Sequence, residues 1–164
     1  MALIKNGAIA SDRYGRLPEE GALPAHGPIL VSLEQWQQWR DELTARDAPV
    51  GVRLTGEQHP EAIAADLEHL DLVALEFPSF RDGRAYSYAR LLRDRYAYTG
   101  ELRAVGDVLF DQLLHMHRVG FDAFEVGGDD PLGDYEDAVG EFGVVYQPAS
   151  DDRIPALRLR HARV

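Results

Sequence analysis

The sequence of 164 residues contains no cysteine. This absence excludes disulfide bonds, cysteine-ligated iron–sulfur clusters, thiolate nucleophiles and Cys-X-X-Cys redox chemistry. Any redox role would therefore depend on a bound organic cofactor or on a partner that carries the redox centre. We predict that the chain has no cofactor-binding motif of its own.

Long apolar runs are also absent, since none approaches the ~18 residues that a membrane-spanning helix needs. The first residues lack the charged and apolar regions of a signal peptide. We therefore expect a cytoplasmic protein that does not enter a membrane. The net charge of −11 and the pI near 4.9 argue against nucleic-acid binding, which needs positive surface to displace counterions.

Several catalytic and binding motifs do not occur in the sequence. It has no G-x-G-x-x-G fingerprint, no P-loop and no Gly-X-Ser-X-Gly elbow. His115 and His117 are two residues apart on a predicted helix, so they lie on different faces and cannot form a metal pair. We therefore predict no metal site.

Short apolar runs alternate with helical patterns at intervals of roughly 20–30 residues, which is typical of βαβ units on a parallel sheet. After one short strand at residues 2–4, further strands are predicted at 29–31, 50–54, 72–75, 101–105, 121–126 and 142–146. Helices are predicted at 32–46, from 60, from 84, from 107 and at 131–139.

The predicted fold is α/β, with alternating β/α units on a mainly parallel sheet. A partial or atypical (β/α) barrel is favoured over a doubly wound three-layer sandwich, and both place ligand sites at the carboxyl ends of strands. Residues 1–27 are rich in Gly, Pro and polar residues and are predicted to form an irregular arm. Residues 28–150 are predicted to form a single α/β domain, and residues 151–164 a basic tail.

The segment 81–103 reverses the charge of the chain around it. It contains six arginines and three acids, a local charge of +3 in a protein of −11. The first arginines follow the third strand of the regular region and precede a helix, where free backbone N–H groups also favour an anion. Arg81 and Arg84 could clamp an anion through forked donors, and Tyr86 and Ser87 could add hydroxyl donors. Pairing with nearby acids such as Asp82 is the alternative.

The remaining candidate residues lie farther along the same segment. Arg90 and Arg93 are about one turn apart, which indicates an exposed row suited to docking an acidic protein or to salt bridges. Asp107 follows the strand at 101–105, and we interpret it mainly as a helix N-cap rather than a catalytic carboxylate. The predicted anion- or partner-binding set is Arg81, Asp82, Arg84, Tyr86, Ser87, Arg90, Arg93, Arg103 and Asp107.

The same segment resembles a bacterial family of uncharacterised proteins. The resemblance is strong over residues 77–124 and weak over much of the rest. Its members are commonly labelled as oxidoreductases involved in sulfite reduction, and their genes lie beside the gene of the sulfite reductase haemoprotein. The matching residues are Phe77-Pro78, Phe80, Asp82-Gly83-Arg84, Tyr86-Ser87, 89–93, 100–108, 111–113 and 120–124.

This resemblance implies a place in assimilatory sulfite reduction but supplies no catalytic group. Our leading hypothesis is an accessory protein that docks to the sulfite reductase haemoprotein or to its electron donor and supports assembly or electron delivery. The alternative is an enzyme that binds an anionic substrate or a flavin at the strand ends, with Arg81 and Arg84 as clamps and Tyr86 as proton donor. A ligand-free homodimeric scaffold is the third hypothesis.

Overall fold

The computed structural model describes residues 1–18, 22–151 and 153–161. Residues 19–21, 152 and 162–164, which belong to the predicted arm and tail, lie outside the described residues. The eight strands among the described residues are β1 (Ala2–Lys5), β2 (Ala8–Ala10), β3 (Gly15–Arg16), β4 (Ile29–Ser32), β5 (Val50–Leu54), β6 (Leu72–Phe77), β7 (Glu101–Gly106) and β8 (Ala123–Val126).

Helices follow most of the parallel strands. The α-helices are α1 (Leu33–Gln38), α2 (Arg40–Thr44), α3 (Arg84–Arg90), α4 (Leu113–Arg118), α5 (Pro131–Gly140) and α6 (Ala156–His161). A 3₁₀ helix at Pro60–His69 precedes β6, a π-helical turn at Leu91–Arg95 extends α3, and a 3₁₀ turn at Phe110–Gln112 precedes α4. Within the described ranges, no helix is both long and apolar enough to cross a bilayer.

All eight strands form one curled sheet in the order β2-β1-β8-β7-β6-β5-β4-β3. The strands from β3 to β8 are parallel to one another, whereas β1 is antiparallel to both β8 and β2. The parallel strands follow one another in sequence without the reversal of a doubly wound sheet. Right-handed crossovers therefore place the helices on one face. The result is a half-barrel, which confirms the predicted preference for a partial barrel.

Alternating residues along the strands divide the sheet into two faces. The convex face packs against the helices and forms the main core, in which Val52, Val73, Leu102 and Phe124 are fully buried. The concave face carries a smaller apolar cluster: Tyr14, Leu30, Leu72, Ala74 and Val105. Charged side chains occupy most of the other concave positions.

Four residues connect β2 to β3, although these strands stand at opposite edges of the sheet. Four extended residues reach only about 14 Å, so the sheet must curl strongly for the connection to be made. The connection lies across the concave face, where Asp12 and Tyr14 both contact Arg103. The predicted irregular arm thus supplies strands and crosses the open side of the half-barrel, and its predicted strand at residues 2–4 is confirmed as β1.

The strand predicted at residues 142–146 is wrong. This segment has only an isolated bridge between Val145 and Pro155, and Phe142, Val144 and Tyr146 are exposed. The physical reason is that β1 already occupies the position beside β8. The apolar run therefore cannot pair with β8, the strand that precedes it in the sequence.

Candidate functional site

The loops that follow β6 and β7 are tied together at the carboxyl end of the sheet. The backbone N–H of Phe80 donates a 2.8 Å hydrogen bond to the Asp107 carboxylate. The side-chain amide of Gln112 donates to the Phe80 carbonyl at 3.3 Å. Phe80 is therefore held from both sides by the segment that follows β7.

The prediction that Asp107 caps the next helix is wrong. Helix α4 begins at Leu113, and its N-cap residue, Gln112, makes no side-chain capping bond. Gly106 adopts a φ of +92°, a conformation that favours glycine, and Asp107 donates its backbone N–H to the Phe77 carbonyl. This turn directs the carboxylate toward the neighbouring loop, so Asp107 links two loops instead of starting a helix.

An apolar surface projects from these two loops. Phe80 and Phe110 are 53% and 51% exposed, and Leu109 is also exposed. The guanidinium carbon of Arg81 lies 5.4 Å from the centre of the Phe80 ring, which is within the range of a cation–π contact. We call Phe80, Arg81, Leu109 and Phe110 the docking face.

The two arginines predicted to clamp an anion contact different residues of the protein. Arg84 forms a forked ion pair with Asp82, in which the shortest contact is 2.6 Å. This side-chain hydrogen bond, together with one from the Arg84 backbone N–H, lowers the pKa of Asp82 to about 2. Arg81, by contrast, lies against Phe80. The structure therefore favours the pairing alternative for Arg84 and leaves Arg81 as the more accessible cation.

Tyr86 is half-buried between two aromatic rings. Its ring centre lies 5.0 Å from that of Phe77 and 4.7 Å from that of His115. Burial, with a smaller contribution from the Asp111 carboxylate, raises the pKa of Tyr86 to about 12. The hydroxyl therefore keeps its proton at neutral pH. Ser87, on α3, is exposed.

Arg90 and Arg93 do not form the predicted exposed row. Arg90 is exposed and pairs with Asp94 at 2.9 Å, whereas Arg93 is largely buried. The reason is the π-helical turn that begins at Leu91, because its wider hydrogen-bonding pattern changes the angle between successive side chains. The side chain of Arg93 consequently points toward the protein interior.

The guanidinium of Arg93 joins three segments of the chain. It donates to the carbonyls of Tyr98, Gly100 and Gly120 at 2.6–2.9 Å and pairs with Asp122 at 2.8 Å. All three of its nitrogen atoms are thus used within the protein. We conclude that Arg93 stabilises the fold at this end of the sheet.

Arg103 lies on the concave face, where it is 1% exposed. It pairs with Glu101 at 2.7 Å, with Asp12 at 3.1 Å and with Glu125 at 3.3 Å, and it lies over the Tyr14 ring. Three carboxylates therefore surround one buried guanidinium. The three negative charges around the guanidinium offset the free-energy cost of removing this cation from water.

Further ion pairs extend this network across the concave face. Lys5 pairs with Glu101 at 2.6 Å, Arg16 with Glu125 at 3.0 Å and Arg53 with Glu76 at 2.6 Å. The predicted site set contains Arg103 but none of these further ion-pair residues, although a signal was present. Arg53, Glu76, Glu101, Arg103 and Glu125 all stand at alternate positions of strands whose other positions are apolar. Among the described residues, no cluster of three or more His, Cys, Asp or Glu side chains could hold a metal ion.

Comparison with known protein families identified a match. The sequence profile of a family described as "Bacterial protein of unknown function (DUF934)" matches residues 51–157. The matched range contains β6 to β8, the docking face and Arg103. Searches of the curated proteins and of the solved structures found no match.

Proposed function

The chain belongs to the bacterial family DUF934, and we propose that it is an accessory protein of assimilatory sulfite reduction. In this role it docks to the sulfite reductase haemoprotein or to its electron donor and supports assembly or electron delivery. The pathway rests on the resemblance described above. The observation that supports docking is the group of exposed apolar side chains, Phe80, Leu109 and Phe110, beside Arg81 at the carboxyl end of the sheet.

The composition of the docking face suits protein recognition. Aromatic residues and arginine are enriched at the energetic centres of protein interfaces. Here Phe80 and Phe110 expose about half of their surface, and Arg81 lies beside the Phe80 ring. An exposed group of large apolar side chains costs solubility, and binding a partner would remove it from water.

The docking face is also fixed in position before any partner binds. The hydrogen bonds from Phe80 to Asp107 and from Gln112 to Phe80 hold one loop against the other. A surface that is already ordered loses less conformational entropy on association. We therefore propose the contact here rather than along α3 and the π-helical turn after it, where Arg93 is directed inward.

The enzymatic alternative has less support at the residues first proposed for it. Arg84 is paired with Asp82, and Tyr86, with a pKa near 12, is a weak proton donor at neutral pH. A general acid works best when its pKa lies near the operating pH. The alternative would gain support if the purified protein were yellow from bound flavin, or if flavin or sulfite raised its melting temperature.

The test is capture of the protein by immobilised sulfite reductase haemoprotein, and separately by the electron donor, at low and high salt. We expect the wild type to bind one of these baits at low salt. Most of the binding should survive at high salt, because the docking face carries only one arginine beside three apolar side chains. If the wild type binds neither bait at low salt, the proposal is wrong.

Matched variants locate the contact. Phe80→Ser and Phe110→Ser should each weaken capture about tenfold or more, as expected when a central aromatic residue of an interface is truncated. Phe142→Ser is the control, because Phe142 is equally exposed at 54% but lies outside the docking face. Equal losses for all three variants would show that the effect is not specific to this surface.

A further inference from the structure

A groove of about 440 Å³ opens on the concave side of the half-barrel, and none of the docking-face residues lines it. It is bordered by β3, β4 and β5 and by the start of α1. Its volume lies within the range of pockets that hold small molecules, roughly 300–1,000 Å³. The polar residues that line it include Arg16, Arg53, Glu34 and Gln35, and Leu17 and Leu30 contribute apolar surface.

Arg16 and Arg53 stand on the two strands that flank β4. The strand register places Arg16 beside Leu30, and Leu30 beside Gly51, so Arg53 lies two residues farther toward the carboxyl end. Their backbones are therefore about 10 Å apart across the strands and about 7 Å along them. Arginine side chains are long enough for both guanidinium groups to contact one ligand in the groove.

Each guanidinium is held in place by one carboxylate through Nη2. The Arg16 Nη2 pairs with Glu125 at 3.0 Å, and the Arg53 Nη2 pairs with Glu76 at 2.6 Å. An arginine side chain has five N–H donors, so an ion pair through Nη2 leaves other donors of each guanidinium for a ligand. Both arginines thus retain hydrogen-bonding capacity beyond their ion pairs.

We propose that this groove binds a small organic acid, with its carboxylate or other oxyanion head between Arg16 and Arg53. The apolar body of the ligand would pack against Leu17 and Leu30. Arginine suits this role because its forked donors match the geometry of oxyanions. This site does not depend on the docking face, since it is formed by other strands on the concave side.

Glu34 sets a limit on the ligand. It lines the same groove and accepts a 2.6 Å hydrogen bond from Gln58. Its negative charge opposes an anion, so a singly charged head is favoured over a multiply charged one. Replacing Glu34 by glutamine should therefore strengthen anion binding.

The test is titration calorimetry of the full chain with hexanoate, acetate and inorganic phosphate. Hexanoate should bind saturably and at least about threefold more tightly than acetate, because its chain covers the apolar floor. Phosphate should bind more weakly than hexanoate. No saturable binding of any of the three anions, or equal affinities for acetate and hexanoate, would overturn the proposal.

Variants connect the binding to the two arginines. Arg16→Gln and Arg53→Gln should each weaken hexanoate binding about tenfold, and Glu34→Gln should strengthen it about threefold. Arg16 is 60% exposed, so its variant should remain folded even if the Arg53 variant does not. Arg95→Gln is the control for net charge, because Arg95 is exposed on the far side of β6 and β7. An equal loss in the Arg95 variant would overturn the assignment.

Discussion

Asp107 and Phe80 belong to different loops, and a 2.8 Å hydrogen bond from the Phe80 backbone N–H to the Asp107 carboxylate joins them. The two loops follow adjacent parallel strands, β6 and β7, whose last paired residues are Phe77 and Gly106. The bond therefore holds the two loops side by side beyond the last paired residues of the two strands. It also determines how Phe80 is presented to solvent.

Replacing Asp107 by alanine should weaken docking more than it weakens the fold. We expect a loss of about 1 kcal/mol in the free energy of unfolding, typical of one hydrogen bond at an exposed site. Capture by the partner should fall several-fold because Phe80 is released. Urea unfolding and the capture assay measure the two effects. Asp107→Asn, which keeps an acceptor oxygen, should retain most of the binding, and an alanine variant that docks like the wild type would contradict this account.

Replacing Arg103 by methionine should be strongly destabilising. The change leaves Glu101, Glu125 and Asp12 without their shared cation, and breaking a buried pair costs about 3–5 kcal/mol. We expect the lower end of this range, because Lys5 and Arg16 still neutralise two of the acids. Equilibrium unfolding in urea gives the measurement.

Two controls separate charge from packing in the Arg103 experiment. Adding Glu101→Gln and Glu125→Gln to the methionine variant should restore part of the lost stability, because without Arg103 each of these two buried carboxylates has only one partly exposed cation beside it. Arg90→Met, which breaks an exposed pair with Asp94, should change the stability by less than about 1 kcal/mol. If the triple variant is no more stable than Arg103→Met, the loss reflects packing.

The carboxyl group of Asp82 should titrate near pH 2. Its pKa is lowered by the hydrogen bonds from Arg84, so Arg84→Gln should return the midpoint toward the ordinary value near 4. Because the native pKa is depressed, the pair contributes stability above about pH 4, and this contribution disappears as the pH falls toward 2. NMR titration of the side-chain carbonyl carbon checks both midpoints. An unchanged midpoint in the variant would show that Arg84 is not the cause.

The stability of the protein should fall as the pH drops below about 6.5, partly because of His115. Burial, with a smaller contribution from Arg118, lowers the pKa of His115. The unfolded chain therefore takes up a proton at a higher pH than the folded protein, so acidification favours unfolding. Melting temperatures between pH 7.5 and pH 5 should vary less with pH in His115→Gln than in the wild type.

The histidine experiment needs two comparisons. His117 also has a pKa lowered by burial, so His117→Gln should reduce the pH dependence in the same direction. His26 is exposed, and His26→Gln should keep the wild-type slope. In His115→Gln, loss of the contact with Tyr86 would shift the melting temperature by a similar amount at every pH. The slope of melting temperature against pH is therefore the quantity to compare.

The alternation of strands and helices could be predicted because most of them are long enough to show a repeat of apolar residues. That repeat is about two residues in a strand and about 3.6 in a helix. The runs that became β5, β6 and β7 have apolar residues at alternate positions facing the helices. A strand of two residues such as β3 has no period to detect. The run at 142–146 has a strand-like composition, but pairing depends on which edge of the sheet is free, and that is a property of the whole fold.

The candidate site was harder to predict because its residues depend on local departures from regular structure. A π-helical turn redirects Arg93, and the positive φ of Gly106 redirects Asp107. Neither departure has a clear signature in the sequence. The charged residues on the concave face did have one, since buried strands seldom carry charges at alternate positions unless those charges meet partners.

The contacts of Arg103 bear on where an autonomous folding unit begins. The family match starts at residue 51, but Asp12 and Tyr14, which cover Arg103, lie before it. A fragment that starts at residue 51 would also lose β4 beside β5 and β1 beside β8, which would expose two long edges of the sheet and leave part of a buried charge cluster uncovered. We therefore expect the described residues before position 51 to unfold together with the part of the chain by which the family is identified.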